Sequence, residues 1–189
     1  INLLMGQFRK KRSQYILDVG CGLGGTAHYL QEQAWGQVFA FDIEKEAIAY
    51  AKEIYPKISF YESDVCNIHN VITDIKFDIF CLFNVFYAFS KQGHALESLR
   101  KIANKNGVIA IFDYSDPTPD DQITPCLNYN NEKINPDFPF RAPFIPIKPA
   151  KIETLLSSNG WALTSISDIS DQYEKWYDIL VTTLTNKKT

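Results

Sequence analysis

Tyr15-Ile16-Leu17-Asp18-Val19-Gly20-Cys21-Gly22-Leu23-Gly24-Gly25-Thr26 is the stretch on which the fold turns. It reads as a short apolar strand, a glycine-rich turn and the start of a helix. A tight strand-to-helix turn needs positive φ, which glycine adopts without steric cost, and bare backbone there lets a ligand approach closely.

Outward from that turn, strand and helix alternate. Before it, residues 1–12 predict an amphipathic helix with Leu3, Leu4 and Phe8 on one side. After it, Gly24 to Trp35 predicts a helix with Ala27, Leu30 and Ala34 inward, stopped by Gly36. Gln37 to Phe41 is a strand ending at Asp42. Glu44 to Tyr55 is a helix with Ala47, Ile48, Ala51 and Ile54 at helical spacing, closed by Pro56. Ile58 to Glu62 is a third strand, and a short helix follows near Asn67 to Asp74. Phe77 to Phe83 is a nearly continuous apolar run, as a strand covered on both faces requires. His94 to Asn104 predicts a helix stopped by Gly107, and Val108 to Phe112 a fifth strand. This order defines an α/β chain with a doubly wound, mostly parallel sheet and helices on both faces. Such sheets bind ligands at the carboxyl ends of their strands. That singles out Asp18, Asp42, Asp64, Phe83, Asn84 and Asp113.

Eight of the nine prolines lie between Pro117 and Pro149, so a Pro-rich insertion over residues 115–149 follows strand five. Its aromatic residues Tyr129, Phe138, Phe140 and Phe144 predict an ordered lid or cover rather than a linker. Pro149 to Gly160 predicts a helix, Trp161 to Ile169 a sixth strand, and Tyr173 to Leu184 a helix capped by Ser170. A strand over Ile179 to Thr185 is the rival reading there.

The 189 residues are 46% hydrophobic, enough for one domain with a core, and residues 1–189 are read as that single domain. A net charge of −3 removes any global basic footprint for nucleic acid. Arg9-Lys10-Lys11-Arg12 is the basic cluster near the start; it reads as a solvated helix end, with a phosphate-binding patch as the sharper alternative. Cysteines 21, 66, 81 and 126 have no C-x-x-C spacing, so metal and dithiol sites lack support, and free thiols suit a reducing cytoplasm. Residues 1–189 read without a signal-peptide pattern and without an apolar run long enough to span a membrane. Histidines 28, 69 and 94 show no metal-ligand spacing, and no G-x-S-x-G elbow anchors a hydrolase triad.

The glycine turn fits two ligand patterns. Gly20, Gly22 and Gly25 satisfy the G-x-G-x-x-G dinucleotide fingerprint. Gly20, Gly22 and Gly24, with Asp18 ahead, satisfy the D-x-G-x-G-x-G pattern of S-adenosyl-L-methionine (SAM) sites. A carboxylate at Asp18 opposes a pyrophosphate on the turn and tolerates SAM, which has no phosphate. Asp42 can accept both ribose hydroxyls of an adenosine. Asp64 can accept from an adenine amino group, with the Val65 backbone as a donor. Asn84, Tyr87 and Ser90 follow the fourth strand, where Tyr87 could hold a hydroxyl or an ammonium.

Tyr15 to Thr26, Val38 to Glu46, Ile58 to Val65, Asp78 to Ser90 and Gly107 to Tyr114 together resemble a class I SAM-dependent methyltransferase with its Rossmann-like sheet. The turn is similar to that of small-molecule methyltransferases of the sarcosine and phosphoethanolamine kind. The resemblance implies SAM as cofactor, with Asp18, Gly20, Cys21, Gly22 and Gly24 at its methionine end. It places Asp42 at the ribose and Asp64 and Val65 at the adenine, with Ile43 a further cofactor-binding residue. Asn84 falls near the transferred methyl group. It implies a small-molecule methyl acceptor, with Asn84, Tyr87 and Tyr114 as unranked candidates for acting on it.

Two departures stand out. Phe83-Asn84-Val85-Phe86 replaces the N-P-P-[YF] or D-P-P-[YF] motif, against methylation of DNA bases or glutamine amides, and Pro125-Cys126 lies in the insertion rather than after strand four. The family closes its sheet with strands six and seven, whereas a sixth strand and then a helix are read here. With Ile1 in place of Met, the expectation is a fragment that lacks a final strand. A nicotinamide-dependent oxidoreductase and a non-catalytic SAM-binding protein are the competing functions.

Overall fold

The computed structural model describes residues 1–118 and 145–176. Five strands form one parallel sheet in the order β3-β2-β1-β4-β5. They are β1 Tyr15–Val19, β2 Gln37–Asp42, β3 Ser59–Glu62, β4 Phe77–Phe83 and β5 Ala103–Phe112. The order reverses between β1 and β4, so the glycine turn after β1 lies at the point where neighbouring connections diverge to opposite faces.

The pleat sends alternate residues of the central strands into two cores. Ile16, Val38, Ala40, Ile79 and Cys81 pack with α2 (Gly25–Glu32), α3 (Lys45–Ile54) and Met5 of α1 (Asn2–Met5). Leu17, Val19, Phe41, Phe80 and Leu82 pack with α4 (Ile68–Val71), α5 (Gln92–Lys101) and α6 (Pro149–Ser158). Coverage on both sides is why Phe77–Phe83 is apolar almost throughout.

Several expected elements are corrected. The first helix covers only Asn2–Met5, and Met5 rather than Leu3 is buried. Helix α2 stops at Glu32; Ala34 lies beyond it, exposed, with φ 53°, and Trp35 turns inward instead. Ile54 of α3 is exposed. Helix α5 ends at Lys101, and Asn104 and Gly107 belong to β5. β5 advances from Ala103 to Val108 while β4 advances only from Phe77 to Ile79, so residues between them bulge out. A side chain at Gly107 would meet the Phe77 carbonyl at 2.9 Å. That glycine therefore marks a bulge, not a helix stop.

Residues 161–169 form no strand. Their apolar alternation has a different cause. Trp161 and Leu163 pack into the α5 side of the core, while Ile166 is exposed. Residues 170–176 are helical, as expected, but Asp168 rather than Ser170 caps them, accepting from the Ser170 amide and hydroxyl at 2.9 and 2.6 Å. Residues 177–184 of that reading and most of the Pro-rich segment, 119–144, lie outside the described residues. No described helix is long and apolar enough to cross a membrane.

Trp161 fixes α5 to the segment after α6. Its indole N–H donates to the Leu96 carbonyl at 3.0 Å, its ring meets Phe80 edge-on, and the Arg100 guanidinium lies 5.3 Å from its centroid. Trp161→Ala should lower stability by about 3–5 kcal/mol. Trp161→Phe should recover part of that loss without the hydrogen bond, as read by urea denaturation.

Candidate functional site

The turn after β1 is held from two sides. The Gly20 and Cys21 amides donate to the Phe41 carbonyl at 2.9 and 3.0 Å, and the Gly22 amide donates to Asp42 Oδ2 at 2.7 Å. Asp42 Oδ1 accepts from the Glu44 amide at 3.0 Å. One carboxylate thus joins the end of β2, the start of α3 and the glycine turn. A carboxylate offers about four acceptor sites, so two remain for other donors.

Gly20 and Gly22 both have positive φ, 69° and 51°, for different reasons. A side chain at Gly20 would run into Val85 Cγ2 at 2.2 Å, so this glycine accommodates the loop after β4. A side chain at Gly22 would meet nothing within 4 Å. The open face of the turn is at Gly22, beside Asp42.

Asp18 lies beneath the turn, 2% exposed, between Ala40 and Cys81 of the flanking strands. Burial raises its pKa to about 7; the Ala27 amide opposes that rise and the Asp42 charge adds to it. Its Oδ2 is buried with no hydrogen-bond partner among the described residues. Burial, then the charges of Asp18 and Asp42, push the Cys21 thiol far above its ordinary range. Cys21 is therefore a packing residue rather than a nucleophile. Because Asp18 supports the turn from below, it separates the two ligand patterns less sharply than its place in the motif suggests.

Asp64 follows β3, exposed, and caps the 3-10 turn Val65–Asn67 by accepting from the Cys66 amide at 2.7 Å. Val65 is buried, and its amide is one that a helical first turn leaves without an internal partner. Ile43 is 61% exposed at the end of β2. Asn84 is exposed with φ 55°, its amide donating to the Phe112 carbonyl at 2.8 Å.

Asp113 organises the loop after β4. Its Oδ2 accepts from the amides of Val85, Phe86 and Tyr87 at 3.0, 2.6 and 3.2 Å, and its Oδ1 from Tyr114 at 2.7 Å. Burial raises its pKa, and those four amides oppose the rise. Among the strand-end residues Asp113 was legible as a candidate, but a bond between residues 26 to 28 apart in sequence was not. Tyr87 and Tyr114 meet edge to face, with centroids 5.3 Å apart. Burial raises both phenols first. For Tyr87 the Asp113 charge adds to this; for Tyr114, Tyr173, Tyr87 and Asp113 add in that order.

The two described ends of the Pro-rich segment meet beside these residues. The Asp116 amide donates to the Ile147 carbonyl and the Ile147 amide to the Tyr114 carbonyl, at 2.8 and 2.9 Å. Lys148 Nζ lies 2.6 Å from Asp116 Oδ2. Hydrogen bonds from Lys148 and Thr118 lower the Asp116 pKa to about 2. The Ile145 amide also donates to the Tyr87 carbonyl at 2.7 Å.

The structure therefore gathers Gly20, Cys21, Gly22, Gly24, Asp18 and Asp42 at the first turn, and Asn84, Tyr87 and Tyr114 around Asp113. Val85 against Gly20 links the two groups. The histidines stand apart: His28 stacks on Tyr55 at 4.4 Å, and His69 Nδ1 pairs with Ser98 Oγ at 2.8 Å.

This is the fold and turn of a methyltransferase domain. A family model described as a methyltransferase domain matches residues 10–180, and the chain belongs to that family. SAM is the methyl donor of the family. Malonyl-acyl-carrier-protein O-methyltransferase of Pectobacterium atrosepticum is 33% identical over 102 residues, 53% of this chain and 39% of that protein. Mitochondrial ubiquinone biosynthesis O-methyltransferase of Dictyostelium discoideum is 24% identical over 175 residues, 82% of this chain and 51% of that protein. The chain thus spans about half or less of the curated relatives it matches. YcgJ of Bacillus subtilis shares the fold over 88% of this chain and 69% of its own, at TM-score 0.70 and 17% identity. The plantazolicin methyltransferase BpumL, solved with a triazolic desmethylPZN analog and SAH, is 25% identical at TM-score 0.52 over 60% of this chain and 43% of its own.

Two consequences can be measured. The folded Asp18 carboxyl titrates near 7, above the 3.8 of an unfolded aspartate, so the folded state holds a proton that the unfolded state has lost. Its stability contribution should be full below about pH 4, fall as pH rises through about 7 and stay flat above, a change on the order of 2–4 kcal/mol. Denaturant titrations across that range should show this slope, and Asp18→Asn should flatten it. Asp113→Ala strips four backbone amides of their acceptor. It should cost about 2–4 kcal/mol, with amide exchange rising fastest at Val85, Phe86 and Tyr87.

Proposed function

We propose that this chain is a SAM-dependent methyltransferase acting on a small-molecule acceptor. The observation that carries the reading is the open face of Gly22, bordered by an Asp42 carboxylate that still has acceptor capacity. The residues of the turn, Asp18, Gly20, Cys21, Gly22 and Gly24, would hold the methionine end. Asp42 and Ile43 would hold the ribose, and Asp64 and Val65 the adenine.

Bound SAM supplies a methyl group already activated by its sulfonium. The remaining work belongs to the chain: to align an acceptor nucleophile and keep water away from it. Asn84, Tyr87 and Tyr114 occupy the carboxyl ends of β4 and β5, which favours them for that role. Asp113 holds their loop in place. An acceptor amine must arrive unprotonated or lose its proton, and raised phenol pKa values favour Tyr87 and Tyr114 as hydrogen-bond donors rather than bases. The Pro-rich segment 115–149 is proposed to cover the acceptor, on the strength of its two ends meeting beside Tyr87 and Tyr114. A small acceptor agrees with the acidic pI of about 5.6 and with the absent N-P-P-[YF] motif. Free thiols at Cys21, Cys66 and Cys81 fit a reducing cytoplasm.

Calorimetric titration with SAM, S-adenosylhomocysteine and NADH tests the cofactor. Both sulfur ligands should bind and NADH should not. Asp42→Ala should weaken SAM at least about tenfold through lost charge-assisted contacts, and destabilise the fold by about 1–2 kcal/mol as the Gly22 and Glu44 amides lose their acceptor. Gly22→Val, checked by circular dichroism for retained fold, should abolish SAM binding. NADH binding without SAM binding would overturn the reading. SAM binding without methyl transfer across amine, hydroxyl and carboxylate acceptors would reduce it to a binding protein.

A further inference from the structure

At the amino edge of the sheet, opposite the glycine turn, a cavity of about 430 Å³ opens between the N-terminal segment and the β5 bulge. The bulge inserts residues 104–107 between the Phe77–Ala103 and Ile79–Val108 pairs, and Asn106 of that insertion lines the cavity. Its floor is apolar, formed by Phe8, Ile79 and Val108. Its rim carries Arg9, Lys11 and Asn106, with Ser13 alongside. The recess is open to solvent on one side, and its volume admits a small molecule.

The charges around the cavity are unequally committed. Asp78 lies against it, but its Oδ2 accepts from the Tyr15 amide at 2.8 Å and its Oδ1 from Asn104 Nδ2 at 2.6 Å. Lys10 points elsewhere, donating to the Gln33 carbonyl at 2.9 Å with its ammonium 4.6 Å from the Trp35 ring centroid. Arg9 and Lys11 are exposed, and the guanidinium and the ammonium make no hydrogen bond or ion pair with the described residues; the Lys11 carbonyl accepts from the Gln14 amide at 3.1 Å. A guanidinium fork, an ammonium, a hydroxyl and an amide above an apolar floor match a tetrahedral oxyanion joined to a flat or apolar body.

We propose that this cavity is a second binding site, for a small organic phosphate monoester whose phosphate meets Arg9 and Lys11 and whose body lies on Phe8 and Val108. β1 alone separates the two edges by about 16 Å over its five residues, so a ligand here does not reach the atoms of a methyl transfer. The site stands independently of the function proposed above.

Phenyl phosphate is the probe, titrated calorimetrically into the full chain, with inorganic phosphate and phenol as its two halves. Phenyl phosphate should bind saturably, at least about tenfold tighter than either half, because only it engages both rim and floor. Amide NMR shifts should move at Ser13, Asn106 and Val108 and not at Gly22. Arg9→Gln with Lys11→Gln should weaken the probe at least about tenfold, while Lys52→Gln with Lys57→Gln leaves it unchanged. Both variants should keep the affinity of the parent chain for S-adenosylhomocysteine, or its thermal stability should that ligand not bind. The site is refuted by absent saturation, by phenol or inorganic phosphate binding as tightly as the ester, or by equal losses in both double variants. Tighter, salt-sensitive binding of oligouridylate lost in the Arg9/Lys11 variant would make the strip a polyanion surface instead.

Discussion

The bond from the Gly22 amide to Asp42 is the constraint on which the candidate site depends. A glycine turn in open solvent has many conformations, and fixing it costs backbone entropy that glycine pays more heavily than other residues. Asp42 offsets that cost with a charge-assisted bond at 2.7 Å, and the Phe41 carbonyl adds two more bonds to the same turn. The turn is therefore built on β2 as much as on β1.

The same device recurs on the other side of the sheet. Asp113 at the end of β5 gathers three consecutive amides of the loop after β4, and Asp116 with Lys148 joins the two described ends of the Pro-rich segment. Each strand-end carboxylate satisfies backbone donors that a tight loop leaves orphaned. The groups buried beside these carboxylates shift with them. Asp18 is driven toward neutrality, the thiols of Cys21 and Cys81 are held protonated, and the phenols of Tyr87 and Tyr114 are raised. Burial is the first cause in every case, and neighbouring charge deepens it.

The sheet thus has two unlike ends. Its carboxyl edge is acidic and its loops are pinned by carboxylates. Its amino edge carries Arg9 and Lys11, and its one carboxylate against the cavity, Asp78, is taken up by the backbone of β1 and by Asn104. The β5 bulge interrupts strand pairing there: Phe77 pairs with Ala103 and Ile79 with Val108, and of the residues inserted between them Asn106 lines the cavity.

By itself the sequence determined the alternation of strands and helices through Phe112, the parallel sheet and the glycine turn, because hydrophobic period and turn chemistry are local. Phe77–Phe83 was legible residue for residue, since a strand buried on both faces leaves no polar positions to blur its ends. The family, and with it SAM as methyl donor, was legible for the same reason: the D-x-G-x-G-x-G pattern of Asp18, Gly20, Gly22 and Gly24 is contiguous, and Asp42 follows at the end of the next strand. Local pattern failed where long-range packing set the outcome. Trp161–Ile169 alternates like a strand, yet Trp161 is drawn into the core by Leu96 and Phe80, and no strand among the described residues pairs with the rest. Gly107 resembles a helix stop, but the approach of the Phe77 carbonyl is what requires it. Only the tertiary structure decided that Gly20 yields to Val85 while Gly22 faces open space, and that Asp42 and Asp113 grip backbone across the sheet. Those contacts join residues about 20 to 65 positions apart, and no pattern within either segment encodes which partner the other will meet.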